Sequence, residues 1–225
     1  VAGVLLGAVR AYSGGKDIRN RSSDLSVLIT NAENRVGVLD GAAADLQGKI
    51  DAAAAAQAAS PQVATVRQKA TALESGAGLT ALHGPGLRVT LTDAPRDSDG
   101  NYPQGVDPDD LVVHQQDVQA VVNALWAGGA EAMMIMDQRV IATSAVRCIG
   151  NTLLLQGRTY SPPFVVTAIG NPSKMLGAVK AEPGVELFLR YVAAYNLGFT
   201  AEQLADVRVP AYKGVVRMTA AKEPK

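Results

Sequence analysis

The chain holds one cysteine, Cys148, and one tryptophan, Trp126, and aromatic residues make up only 4% of it. A single thiol excludes an intrachain disulfide, and a cysteine-based zinc site would need further ligands from elsewhere. Sparse aromatics beside abundant Ala and Gly suit helices packed on narrow faces better than one aromatic-rich core. An excess charge is missing as well. The 21 Lys and Arg balance the 21 Asp and Glu, so no net field draws in nucleic acid or anionic lipid, and no nucleic-acid partner is expected. Long apolar runs are also absent. Val1 to Val9 is unbroken until Arg10, whereas a spanning helix needs about 20 apolar residues. Two readings of that run stay open: the trailing end of a transmembrane or signal-anchor segment, which is favoured, or a short apolar lead-in docked on the domain.

What is present begins with a rhythm. Ile18, Ser22, Leu25, Ile29, Ala32, Val36, Leu39, Ala43, Leu46 and Ile50 step by four and three in strict alternation. Ser22 is the one polar member. Such spacing averages about 3.5 residues per turn and lays one seam along a helix. Gly37, Gly41 and Gly48 weaken that helix. An intermolecular coiled coil is the favoured expectation, and an amphipathic helix folded back on its own domain is the alternative. Asp51 to Ala59 extends the helix. Ser60-Pro61 then reads as an N-cap and first-turn proline of a second helix, which Gly76 and Gly78 stop.

Composition shifts after residue 78. His83-Gly84-Pro85-Gly86 is a turn signal, and Leu87 to Thr92 alternates as a half-buried strand. Asp93 to Asp110 is an acidic loop, and Asp117 to Ala127 a helix. Ala130 to Met136 reads as a central strand, with further strands at Thr152–Gln156 and Phe164–Ile169 joined around the Gly157-Arg158 turn. Asn171-Pro172 opens a helix, another covers Val185–Tyr195, and Val215–Thr219 closes the series as a strand. The expected fold is α+β: residues 1–15 an anchor end and linker, 16–78 a helical coiled-coil stalk, and 79–225 a ferredoxin-like domain. In that domain the sheet is mainly antiparallel and helices lie on one face.

Chemistry-bearing motifs mostly fail on spacing. Asp97-Ser98-Asp99-Gly100-Asn101 resembles the start of a calcium loop, but its sixth and twelfth positions hold Tyr102 and Pro108, not Gly and Glu. His83 and His114 lie in no metal-binding spacing and read as turn or cap residues. Ser144, His114 and Asp117 could be drawn as a triad, yet Ser144 lacks the GxSxG elbow. No GxxxxGK[ST] occurs. No catalytic residue, metal or cofactor is therefore expected. What remains is a polar cluster: Asn123, Glu131, Asp137, Gln138, Arg139, Ser144, Arg147, Cys148 and Asn151. Arg139 or Arg147 paired with Glu131 or Asp137 as a structural ion pair is the favoured reading. The alternative is that the arginines grip an anionic ligand or a partner's carboxylate.

The stretches His83–Asp93, Asn123–Ala132, Arg139–Asn151, Pro162–Gly170 and Val209–Tyr212 resemble a bacterial family catalogued as domain of unknown function 881. The resemblance covers about residues 60–220, and its characteristic residues fall on Asn123, Glu131, Arg139, Arg147 and Asn151. It implies a single N-terminal transmembrane helix, a coiled coil and an extracytoplasmic domain, and the Ala-, Gly- and Val-rich composition suits an actinobacterial source. The expected role is a non-enzymatic, membrane-anchored scaffold or interaction protein of the cell envelope, in the setting of division or wall assembly. It would be a homo-oligomer through its stalk, with an unidentified envelope partner. An extracytoplasmic sensor binding a ligand in the Arg139/Arg147 region is the alternative.

Overall fold

The computed structural model describes residues 19–56, 61–149 and 152–214. The apolar start at 1–9, Ile18, Ser60, Asn151 and the strand expected at 215–219 lie outside the described residues, as do the side chains of Ser22, Leu25, Ile29 and Val63. The chain divides between Asp45 and Leu46 into two units.

Helix α1 (Arg19–Ala56) carries the heptad stretch, and α2 (Pro61–Glu74) starts on the proline, whose missing N–H would have no helical partner there anyway. Gly78 ends α2 with φ +80°. The Ala77 and Leu79 amides return to the carbonyls of Leu73 and Glu74 at 3.0 and 2.8 Å, a closure that needs a left-handed residue and therefore favours glycine.

The rest of the chain runs β1 (Leu82–Thr92), a 3₁₀ turn (Pro108–Leu111), α3 (Gln115–Ala127), β2 (Ala132–Ile135), β3 (Gln138–Val140), β4 (Val146–Ile149), β5 (Thr152–Leu155), β6 (Arg158–Tyr160), β7 (Phe164–Ile169), α4 (Pro172–Ala181), α5 (Pro183–Tyr195) and β8 (Gly198–Val209). Five strands pair in the order β3-β2-β7-β1-β8, and β4-β5-β6 form a smaller sheet. Every pairing is antiparallel. The class is thus α+β with antiparallel sheets.

Register explains where the core sits. Met133, Ala168 and Leu87 lie in one cross-strand row, and Ile135, Val166 and Val89 in the next row on that face. All six are buried, and Val118, Val121 and Leu125 of α3, Met175 and Val179 of α4 and Val185 and Phe188 of α5 join them. Ala132, Ile169, Val207 and Val209 form a separate cluster with no helical member. The helices therefore cover one face. Asn171 caps α4 by accepting the Lys174 amide at 3.0 Å, as its Asn-Pro start requires.

Several expected elements are corrected. Residues 130–136 do not make the central strand. β7 is central, and β2 lies one place from the edge. The run is continuously apolar because Met133 and Ile135 face the helices while Ala132 enters the second cluster. The His83-Gly84-Pro85-Gly86 turn is instead part of β1, where a bulge between Gly84 and Gly86 absorbs the irregularity. The chain after Gly157 does not lead to β7 directly but folds back as β6.

Candidate functional site

A cleft of about 500 Å³ adjoins a smaller hollow of about 180 Å³, and Trp126, Val140, Ile141 and Ala142 line both. The larger is closed by Ser75–Gly78, Glu131, Arg139 and Thr143. The smaller adds Gln119, Asn123 and Ser144. Of the five candidate residues, Glu131 and Arg139 thus share the cleft, and Asn123 lines the hollow beside it. Arg147 is on the exposed side of β4 and lines neither hollow. Asn151 is outside the described residues.

Local structure fixes each wall. Trp126 sits in the last turn of α3, half exposed (41%), just before the Gly128-Gly129 stop. Asn123, one turn earlier, accepts from Gln119 Nε2 at 2.8 Å. The loop after β3 is closed by Ser144, whose Oγ accepts the Ile141 amide at 3.0 Å. Gln156 Nε2 donates to the Arg139 carbonyl at 2.8 Å, tying the small sheet to β3.

Arg139 is the unusual member. It is only 4% exposed, yet no carboxylate pairs with it among the described residues, which corrects the expected ion pair with Glu131 or Asp137. Its Nη1 instead donates to the carbonyls of Thr80 and Pro210, both at 3.0 Å. One guanidinium thereby ties the segments that lead into β1 and out of β8 to the β3 edge. Burial pulls its pKa below the ordinary arginine range, because the charged form has lost water. Nε is buried with no hydrogen-bond partner among the described residues.

Asp137 has a different role. It accepts from Tyr160 Oη in a short hydrogen bond, from Gln138 Nε2 at 3.1 Å, and pairs with Arg158 at 3.2 Å. Burial pushes its carboxyl up, but the Tyr160 and Gln138 bonds and the Arg158 charge outweigh that, so the net direction is down. Burial and then the same carboxylate push the Tyr160 hydroxyl up to about 12. A depressed folded-state carboxyl stabilises above its unfolded value of about 4 and loses that contribution as pH falls through the folded value. Asp137→Ala should therefore cost about 1 kcal/mol at pH 7, kept small by exposures of 59% and 44% for Asp137 and Arg158. In urea melts the difference from wild type should shrink steadily below about pH 4; a gap that stays constant down to pH 2 would contradict this account.

The remaining motif residues serve local structure. His114 Nε2 lies 2.8 Å from the Asp109 carbonyl, and the His114 amide donates to Asp117 at 2.8 Å. Burial raises the Asp117 pKa against that bond. His83 pairs with Asp206 at 3.0 Å. In the acidic loop Asp97 accepts the amides of Asp99 and Asn101, and Arg96 stacks 4.1 Å over the Tyr102 ring. Among the described residues no three His, Cys, Asp or Glu side chains could hold one metal ion.

Sequence reasoning missed Trp126 and the Gly76-Ala77-Gly78 wall as parts of the site. The run of small residues, read as a helix stop, was the available signal. It serves both purposes, because a Cβ on Gly78 would meet Ile141 Cγ2 at 2.7 Å and stand 3.6 Å from Arg139 Nε and Nη2.

Comparison with known proteins adds kinship. The chain is 32% identical to the UPF0749 protein YlxW of Bacillus subtilis over 132 residues, 59% of this chain and 54% of that protein. It is 26% identical to the UPF0749 protein Rv1823 of Mycobacterium tuberculosis over 212 residues, 92% of this chain and 62% of that protein. The chain thus spans little more than half the length of these relatives. A crystal structure of an uncharacterized conserved protein from Mycobacterium tuberculosis superposes with a TM-score of 0.51 at 24% identity, covering 69% of this chain and 99% of that one, which shows a shared fold. Residues 69–222, more than half of the chain, match the model of the family described as bacterial protein of unknown function (DUF881), and the chain belongs to that family.

Proposed function

We propose that the chain is a non-enzymatic scaffold of the cell envelope, assembled with a second copy of itself through α1 and presenting a ferredoxin-like domain. The observation that carries this reading is the seam. Leu39, Leu46 and Ile50 are 59%, 59% and 60% exposed on α1, all on the heptad stripe. A 38-residue helix with three interior glycines gives up about 1 kcal/mol at each relative to alanine. Helices of this kind draw most of their stability from packing, and each leucine that a second copy covers contributes about 1.5–3 kcal/mol. Ala32 and Ala43 on the same stripe would let two backbones approach closely.

The apolar run Val1–Val9 ahead of α1 supports attachment to a membrane by one N-terminal segment, with the domain outside the cytoplasm. Among the described residues no helix is long and apolar enough to cross a membrane. For the domain, the order β1-α3-β2, then β7-α4-α5-β8, with β8-β1-β7-β2 adjacent, supports a ferredoxin-like unit into which β3–β6 are inserted.

Light scattering tests the assembly. Wild-type chain is expected at twice the monomer mass, and Leu39→Asp/Leu46→Asp at the monomer mass, since two carboxylates placed in an apolar seam cannot be desolvated cheaply. The melting of the domain should stay where it was. A monomeric wild type, or a double variant that remains dimeric, would overturn the reading.

A further inference from the structure

The cleft holds a cation with a vacant binding edge. A guanidinium presents two bidentate edges, and in Arg139 the Nη1 atom is already spent on Thr80 and Pro210. Among the described residues Nε is buried without a partner, and Nη2 makes no hydrogen bond either. Nε and Nη2 together are the side-on fork that matches two oxygens of a carboxylate or phosphate. That fork faces Gly78, where a Cβ would stand 3.6 Å from both nitrogens, and Gly78 lines the larger hollow. Gly78 thus lies close against the fork, and a side chain there would also run into Ile141 Cγ2 at 2.7 Å.

The charge balance points the same way. A buried guanidinium without a counter-ion costs several kcal/mol, and two carbonyl acceptors offset only part of that. An oxyanion seated on the fork would supply the missing charge. Most of the other walls, Ala77, Trp126, Val140, Ile141 and Ala142, are apolar or aromatic, with hydroxyls from Ser75 and Thr143, and about 500 Å³ is within the range of small-molecule sites. From this we propose that the cleft binds an amphiphilic anion, with one carboxylate or phosphate group on the Nε–Nη2 edge of Arg139 and an apolar body along Trp126 and Ile141. Glu131, exposed in the same wall, repels that anion and sets its affinity.

Trp126 is the only tryptophan, so its fluorescence reports on the cleft alone. The full chain is titrated with octanoate, octyl phosphate, octylammonium and octanol. Octanoate and octyl phosphate should shift the emission saturably, and the tighter of the two names the head group. Octanol and octylammonium should bind at least tenfold more weakly. Arg139→Lys keeps a charge and a donor for the two carbonyls but removes the fork, and should weaken the better anion at least tenfold. Because a change at Arg139 can also unsettle the fold, Glu131→Gln gives a second reading at a surface position: affinity for that anion should rise about threefold as the repelling charge is lost. Octanol binding as tightly as the anions would leave the cleft merely apolar, and tighter octylammonium would assign it to Glu131. Either result overturns the proposal, as does an anion affinity that both substitutions leave unchanged. The dimer mass is read independently, so this proposal and the stalk reading fail separately.

Discussion

Gly86→Ala should remove about 3–5 kcal/mol of stability, a large share of what a domain of this size has. The residue sits in β1, paired with Ile169 of β7 on one side and Leu204 of β8 on the other. A Cβ there would stand 2.3 Å from the Ala168 carbonyl oxygen and 2.6 Å from Val207 Cγ2. The first of these is backbone in the central strand, so it cannot rotate away as a flexible side chain could. Relief requires β1 and β7 to separate where Leu87 and Ala168 hold the main core. Conformation is not the reason, since Gly86 has no positive φ; close approach is. Gly177→Ala in α4, where a Cβ meets nothing within 4 Å, is the matched comparison and should gain up to about 1 kcal/mol. Urea denaturation of both variants checks the pair. A Gly86→Ala midpoint within experimental error of wild type would show that the bulge can yield, and the close-approach account would fail.

That bulge also marks a limit of the sequence. His83-Gly84-Pro85-Gly86 carries the local signature of a turn, and Pro85 has no amide to give to a ladder. What keeps it in a strand is tertiary: the Pro85 carbonyl receives the Gly170 amide at 3.0 Å, and the bulge lets β8 continue past it. Residues 198–209 were invisible for a related reason. Ala201-Glu202-Gln203-Leu204 has no strand preference, and only Val207 and Val209 near the end of β8 are buried, so no alternation develops over most of its length. The three-residue strands β3 and β6 are too short to show a period. By contrast α3, α4 and α5 were legible because caps, prolines and glycine stops bracket them, and β7 because its apolar run is bounded by turn residues.

The site was legible in its members but not in its roles. Asn123, Glu131 and Arg139 were singled out, and the structure brings the last two to one cleft and Asn123 to the hollow beside it. The opposite charges nearby in sequence suggested an ion pair, but Asp137 is taken by Tyr160 and Arg158, which the small sheet delivers from more than 20 residues away. The partners of Arg139 are backbone carbonyls, which no side-chain pattern can announce. Thr80 and Pro210 lie 59 and 71 residues from it, and only the fold brings them together.

Arg139→Met is the substitution that separates clamp from charge. Methionine fills much of the same volume, so the loss is mainly that of two charge-assisted hydrogen bonds. Orphaning both carbonyls costs about 2–4 kcal/mol, and removing a poorly solvated charge returns part of it. The two terms oppose each other, so the net loss of stability should be held to about 2 kcal/mol or less. The local consequence is sharper. The Tyr212 amide donates to the Gly78 carbonyl at 2.9 Å, and that contact joins the same two segments that the guanidinium holds. Hydrogen exchange at Tyr212 should accelerate at least tenfold beyond the change seen at Val166 in central β7, which reports global opening. Equal acceleration at both would make Arg139 an ordinary contributor to the whole fold. No acceleration at Tyr212 would mean that the entry and exit segments hold each other without it, and the guanidinium would then be free of any structural duty in the cleft.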